Sequence, residues 1–410
     1  MKFLSLLLFI TLFLEAYTLD ELVELAQQNK VVEAASLSLQ AKQKAYDSTQ
    51  SSYLPTVNIT GSYLNSYNET PISPRNMLRT SANVNYTLYD GGKRGALYDK
   101  LLYSVDASKQ NLEAQKNTIA LDVTRLYFEY LSFEARKQSV HQEVRQLEAE
   151  LKRLQMYYKT GSVTKDEVDK IDSRVKTQKV VLSEIEMQRQ RVFHTLEYYT
   201  DVKVSDIEAG AYLRVTPKQD AQTRPDIKVL ESQTKALMYD AQATKSNNLP
   251  NIQFDNTYTR SEFFFADKAN ESPFIVNSQN VAALNVEWNI FDFGAIAEAY
   301  ESKQYEYLSQ KAELQFEIKK ADVERRLARK ELEILQLKLE ATAASLKAAS
   351  QTYALIKLKY QNGTIDNVAY LESLSEKQSA FYAHEKAKND LEIKKAELLY
   401  YSGKTIKEFL

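Results

Sequence analysis

The side chains best placed for chemistry are carboxylates gathered just behind two glycines. Asp166, Glu167 and Asp169 follow Gly161, and Asp366 and Glu372 follow Gly363. Acids grouped at a helix start do one of two things. They favour the positive end of the helix as first-turn residues, or, repeated by symmetry around an axis, they focus charge at a narrow mouth and favour cations. Catalysis fits poorly. The three histidines, His141, His194 and His384, all lie in heptad-patterned stretches and read as wall residues. Cysteine is absent, which excludes thiolate chemistry and a disulfide framework. No Walker loop, G-x-S-x-G or H-E-x-x-H occurs, and Asp90-Gly91-Gly92 lacks the Lys-Ser/Thr of a phosphate cradle. The chain reads as a non-enzyme with no catalytic residue, no metal site and no cofactor.

The elements that carry these acids come in two copies. Tyr53-Leu54-Pro55-Thr56-Val57 recurs as Asn248-Leu249-Pro250-Asn251-Ile252, 195 residues later. Tyr89-Asp90-Gly91-Gly92 recurs as Phe291-Asp292-Phe293-Gly294, and Tyr158-Lys159-Thr160-Gly161 as Tyr360-Gln361-Asn362-Gly363, each 202 residues later. Leu196, Tyr198 and Tyr199 recur as Leu398, Tyr400 and Tyr401 at the same offset. Landmarks in one order with one small insertion mark an internal duplication. The first repeat is placed at 17–223 and the second at 224–410.

Each copy contains two period-2 segments, the signal of half-buried strands. They are expected at 56–64 and 81–89, then at 251–260 and 281–291. Val57, Ile59 and Tyr63 alternate with Asn58, Thr60 and Ser62; Leu284, Val286, Trp288 and Ile290 alternate with Asn285, Glu287 and Asn289. Such strands fit either two hairpins on a soluble core or a membrane barrel with lipid outside and water inside. Aromatic residues at Tyr86, Tyr89, Tyr258, Phe263, Phe264, Phe265, Trp288, Phe291 and Phe293 suit interfacial girdles. A membrane sheet cannot keep open edges, and four strands are fewer than the roughly eight of the smallest barrels. If the strands cross a membrane, several chains must share one barrel, and three chains would supply twelve strands.

Between Gly95 and Gly161, and again between Gly294 and Gly363, neither Gly nor Pro occurs. Helices of this length run to about 100 Å at the usual rise. Val140, Val144, Leu147, Leu151, Leu154 and Tyr158 step by fours and threes, as do Leu332, Leu335, Leu339, Thr342, Leu346, Ala349, Tyr353, Ile356 and Tyr360. A 3.5-residue period makes a left-handed coiled-coil seam. The seam resumes after each glycine, so Gly161 and Gly363 are expected at the tips of antiparallel hairpins, in the positive-φ conformation of helix ends. One helix is expected from Leu19 to Ser52 before the first strand, and residues 203–223 read as a linker partway along a helical cylinder. In all, the 410 residues contain only 9 Gly and 7 Pro, with a net charge of −2. That composition suits a mostly helical fold and gives no bias toward nucleic acid. Residues 1–16, a Lys2 start and an apolar run to Leu14, read as a signal peptide. No later run is long enough for a transmembrane helix.

Order and spacing together resemble the TolC family of outer-membrane efflux and secretion ducts: a leader, Leu-Pro before each first strand, Asp-Gly-Gly after a second strand, and two long helices turning at Gly161 and Gly363. The resemblance implies a trimer in outer-membrane lipid, with a twelve-stranded β-barrel continued by an α-helical tunnel across the periplasm. It implies a passive conduit for efflux or type I secretion. Its partners would be a periplasmic adaptor (membrane fusion) protein and an inner-membrane transporter of RND or ABC type. It assigns a constriction near the tips to Glu167 and Tyr360. Ile365 stands where that family's latch has arginine, so the salt-linked part of the latch is missing. Glu372, with Asp366 beside it, would form an acidic ring, Ala369 having replaced a second acid. Gly161, Ser162, Gly363 and Thr364 would be the adaptor-docking tips. A coiled-coil adhesive stalk without a conduit, or a soluble adaptor-like hairpin protein, are the competing readings.

Overall fold

The computed structural model describes residues 16–215, 221–267, 271 and 273–410. The leader expected at 1–16 lies almost wholly outside the described residues. The chain divides into two compact units, each built from both repeats: one from residues 35–111 and 226–317, the other from the described parts of 16–34, 112–225 and 318–410. The compact units therefore cut across the sequence repeats, because each repeat sends its strands to one unit and its helix turn to the other.

The first unit holds a four-stranded antiparallel sheet in the order β1-β2-β3-β4. β1 is Thr56–Asn65, β2 Asn76–Tyr89, β3 Asn251–Phe264 and β4 Ser278–Glu287. The two hairpins join through β2 and β3, where Asn83 pairs with Thr257 and Asn85 with Asp255. Matching registers put polar residues on one face. There Asn83 Nδ2 donates to Thr257 Oγ1 at 2.6 Å and Asn285 Nδ2 to Asp255 Oδ2 at 2.8 Å. The opposite face carries Val57, Ile59, Tyr63, Tyr258, Leu284 and Val286, all exposed in the single chain. β1 and β4 are sheet edges.

β1 and β3 end later than the sequence reading has them, at Asn65 rather than 64 and at Phe264 rather than 260, and β2 and β4 differ as well. β2 begins at Asn76 rather than 81, since three consecutive polar residues, Arg79-Thr80-Ser81, hide the alternation although the ladder continues through them. β4 runs from 278 to 287 rather than 281 to 291. Its ladder stops at the pair Glu287 and Asn251 because Pro250, which has no N–H to donate, precedes β3. The Trp288 indole N–H donates instead to the Asn248 carbonyl at 3.0 Å.

Helix α3 spans Lys93–Lys159 and α6 spans Ala295–Gln361, 67 residues each. Both are started by an aspartate. Asp90 Oδ2 accepts from Arg94 N and Asp292 Oδ2 from Ile296 N, each at 2.8 Å, satisfying orphan donors of the first turn. The return helices are α4, Lys165–Thr200, and α7, Asn367–Tyr401. The remaining helices are α1, Leu19–Ala26, α2, Lys30–Ser52, and α5, Pro225–Lys245. The single helix expected over 19–52 is thus broken. Asn29 interrupts it and its Oδ1 caps the new start at Val32 N, 3.0 Å away. At the other end α1 carries a capping box between Thr18 and Glu21.

The second unit's main core joins Leu19, Leu22, Val23, Tyr127, Phe128, Leu196, Leu399 and Ile406. Of the linker read at 203–223, the described stretch 203–215 is packed: Val204, Ile207 and Leu213 are buried in that same core. The Tyr127 hydroxyl donates to the Glu208 carbonyl at 2.6 Å and accepts from Ala211 N. No helix among the described residues is long and apolar enough to cross a membrane.

Candidate functional site at the hairpin tips

Both hairpins turn through the same device. Gly161 N donates to Tyr158 O at 3.0 Å and Ser162 N to Tyr157 O at 2.9 Å; Gly363 N donates to Tyr360 O and Thr364 N to Lys359 O, each at 3.0 Å. This is the paired bonding of a Schellman cap, which needs a left-handed residue after the helix. Gly161 has φ of 74° and Gly363 of 71°. Thr160 and Thr364 hydroxyls add bonds to the last carbonyls.

Behind the tips the two hairpins share one core. Leu147, Leu154, Ile171 and Val175 of α3 and α4 pack with Tyr353, Tyr370, Leu371 and Leu374 of α6 and α7. Tyr360 sits at its edge. One face of its ring stacks on Tyr370, with centroids 4.6 Å apart and planes 7° from parallel. The Arg153 guanidinium lies over the Tyr360 ring at 4.4 Å. The Tyr360 hydroxyl donates to Glu150 Oε1 at 2.8 Å, and Arg153 donates to the same oxygen at 3.0 Å. Tyr370 donates to Gln146 Oε1 at 3.0 Å. Glu150 is buried. Burial pushes its carboxyl above the ordinary value, and Arg153 partly offsets that. One heptad earlier on the same helix face, Glu143 is also buried and also raised by desolvation, with Arg174 opposing. Tyr370 is raised by burial as well.

The residues singled out in the sequence separate into two groups. Tyr360 belongs to the shared core, where its hydroxyl meets Glu150. Glu167 and Glu372 are exposed in the single chain. Asp366 caps α7, its Oδ1 accepting from Ala369 N at 3.0 Å, and Asp166 lies 3.4 Å from Lys170. Glu150, Arg153 and Tyr370 were missed. The available signal was position: Glu143 and Glu150 flank the seam next to Val140 and Leu147, seven residues apart, and an acid there can be covered by a third helix.

The geometry defines a class of protein: an internally duplicated chain with an open-edged four-stranded β-sheet in one unit and, in the other, two helical hairpins whose glycine tips are joined by one core. The profile of the outer membrane efflux protein family matches residues 22–200 and again residues 216–404, and the chain belongs to that family. It is an efflux channel protein of the outer membrane that extends into the periplasm. Among solved structures it is similar to the CmeC outer membrane channel of Campylobacter jejuni, at 16% identity over 95% of this chain and 86% of that one, with a TM-score of 0.82. It is similar to the outer membrane protein VceC of Vibrio cholerae, at 15% identity over 95% and 96%, with a TM-score of 0.81. It is also similar to the open state of the MtrE outer membrane channel of Neisseria gonorrhoeae, at 16% identity over 95% and 89%, with a TM-score of 0.79. At these identities the likeness is one of fold. No curated protein sequence matches.

Proposed function

We propose that three copies of the chain close into one twelve-stranded barrel and one helical duct, the passive exit of an efflux or type I secretion assembly. The observation that carries this reading is the sheet: four strands, two unpaired edges, and an outer face of exposed Val57, Ile59, Tyr63, Leu284 and Val286. Unpaired backbone groups cost several kcal/mol each in hydrocarbon, so the edges need partners. β1 and β4 run in opposite directions and offer each other an antiparallel pairing between copies, a head-to-tail contact that closes as a ring. Residues 1–16 serve as the export leader.

In this reading the tips form the periplasmic entrance. Tyr360, anchored on Glu150, holds the two hairpins together, and Glu167, Glu372 and Asp366 place carboxylates around the constriction. The turns at Gly161-Ser162 and Gly363-Thr364 dock the periplasmic adaptor, and the inner-membrane transporter of RND or ABC type supplies the energy. The chain itself performs no chemistry and needs no cofactor.

The test is mass and conductance in one detergent. Purified protein is expected as a trimer that gives a small, steady conductance in a planar bilayer. A water-soluble monomer without conductance would sink the reading and favour a stalk.

A further inference from the structure

The duplication places one junction inside the chain and its counterpart at the chain's boundary. Inside, the β2–α3 turn lies against the α5–β3 turn. Gly91 is so close to it that an added Cβ would come within 2.6 Å of the Ser246 carbonyl oxygen and 2.8 Å of Leu249 Cβ. Lys93 Nζ also bonds Asn247 Oδ1 across this junction at 3.1 Å. The repeat carries Ser246 and Leu249 onto Ser51 and Leu54, and Gly91 onto Phe293. The second junction therefore has Phe293 on one side and Ser51–Leu54 on the other, at opposite edges of the same sheet.

Both halves of that second junction are bare. Phe293 is 92% exposed and Leu54 is 63% exposed. Phe293 also holds the left-handed conformation, with φ of 56°, which a bulky residue adopts only against a steric cost. Its ring packs on Phe291, itself exposed, at 4.6 Å. Strain that displays an aromatic ring to solvent calls for something that covers the ring. An exact copy of the inner junction is impossible, since even a Cβ finds no room there. The outer junction must stand wider, with the ring filling the difference.

We propose that Phe293 of each copy seats on Leu54 of the next, so that this ring marks the seam between copies where glycine marks the seam within one. The inference rests on the ring of copies proposed above and adds the residue that tells the two seams apart. It also means that the six quasi-equivalent junctions of a trimer alternate between a tight glycine contact and a wider aromatic one.

The chain has no cysteine, so paired substitutions give a clean test. Phe293→Cys and Leu54→Cys, made on separate chains and mixed before assembly, are expected to be joined by a short thiol-reactive cross-linker, because the width of the ring holds the two Cβ atoms beyond the reach of a direct disulfide. As a second measurement, Phe293→Gly removes the ring and relieves the left-handed strain. It is expected to leave helix content unchanged and to shift the trimer–monomer equilibrium toward monomer by tenfold or more, the order expected for exposing a buried Phe. A trimer that neither cross-links nor loosens in Phe293→Gly would overturn the contact and leave the ring standing. A wild-type protein that is monomeric in mild detergent would overturn both.

Discussion

The Tyr360 hydroxyl and the Glu150 carboxylate, 210 residues apart in sequence, meet at 2.8 Å. The bond ties the end of the second hairpin's long helix to the first hairpin's long helix. It is shielded by Arg153 over one side of the Tyr360 ring and by Tyr370 stacked on it. A buried carboxylate with two donors is stable only while both remain. Glu150→Ala leaves Arg153 and Tyr360 without their acceptor and is expected to cost about 3 kcal/mol locally. Hydrogen exchange of the amides of α3 and α6 near the tips should accelerate accordingly. Single-channel conductance should rise for Glu150→Ala and for Tyr360→Ala, each of which removes one side of the same bond. Unchanged conductance in both variants would refute the assignment.

The same carboxyl has a pH signature. Burial raises its folded value above the ordinary 4.5, so the folded tip binds the proton more readily than the unfolded chain does. The stability Glu150 contributes is then fully present below about pH 4.5 and is lost as pH rises through the raised folded value. Glu143 acts with the same sign. Glu186 acts with the opposite one: bonds from Gln190 and Lys137 hold it down at about 2. Its contribution is present above about 4.5 and disappears as pH falls toward 2. Tip amides should therefore be better protected just above pH 4.5 than at pH 8, and Glu150→Gln should flatten that difference. Protection that instead grows steadily with pH would contradict the burial of Glu150.

How much of this was legible beforehand depends on the reach of each interaction. The tip glycines, the heptad seams and the duplication are local or periodic, and the turns at Gly161 and Gly363 appear where the seams reverse. Strand ends were harder. β2 continues through Arg79-Thr80-Ser81 because its neighbours on both sides keep pairing, and a backbone ladder leaves no mark on side-chain alternation. The break at Asn29 was hidden because asparagine within a long helical pattern looks tolerable until its side chain is seen to cap a new start. The Glu150 cluster was out of reach for a different reason. It needs α3, α6 and α7 together, and no seam within one hairpin reports which residues of the other hairpin cover it. Resemblance supplied Tyr360 but gave no sign of Glu150, its partner in the fold.

The glycines separate into cheap and costly positions. At Gly161 and Gly363 an added methyl meets nothing within 4 Å, so alanine there pays only for the left-handed backbone, about 1–2 kcal/mol each. At Gly403, φ is 70° and the added Cβ would also run into the Gln222 carbonyl of the segment packed over it. Gly403→Ala should therefore lower the thermal midpoint clearly more than Gly161→Ala. Equal shifts in the two variants would show that the segment at Gln222 moves aside freely.

The aspartates that start α3 and α6 make the closing case, because the two repeats differ around the same cap. Asp90 and Asp292 each accept from two backbone N–H groups, at 3.2 and 2.8 Å for Asp90 and at 2.9 and 2.8 Å for Asp292. Removing either carboxylate costs the cap, about 1 kcal/mol. Asp90 has a second role. It lies 3.9 Å from Arg94, whose guanidinium covers the Tyr53 ring at 4.9 Å and bonds the Thr87 carbonyl at 2.6 Å. Ile296 holds the equivalent place in the second repeat, with no charge to orient. Asp90→Ala should thus destabilise more than Asp292→Ala, and Asp90→Asn, which keeps one acceptor, should recover part of the cap. Thermal unfolding of the three variants in one detergent checks the order, and an Asp292→Ala loss as large as that of Asp90→Ala would mean that Arg94 needs no orienting charge.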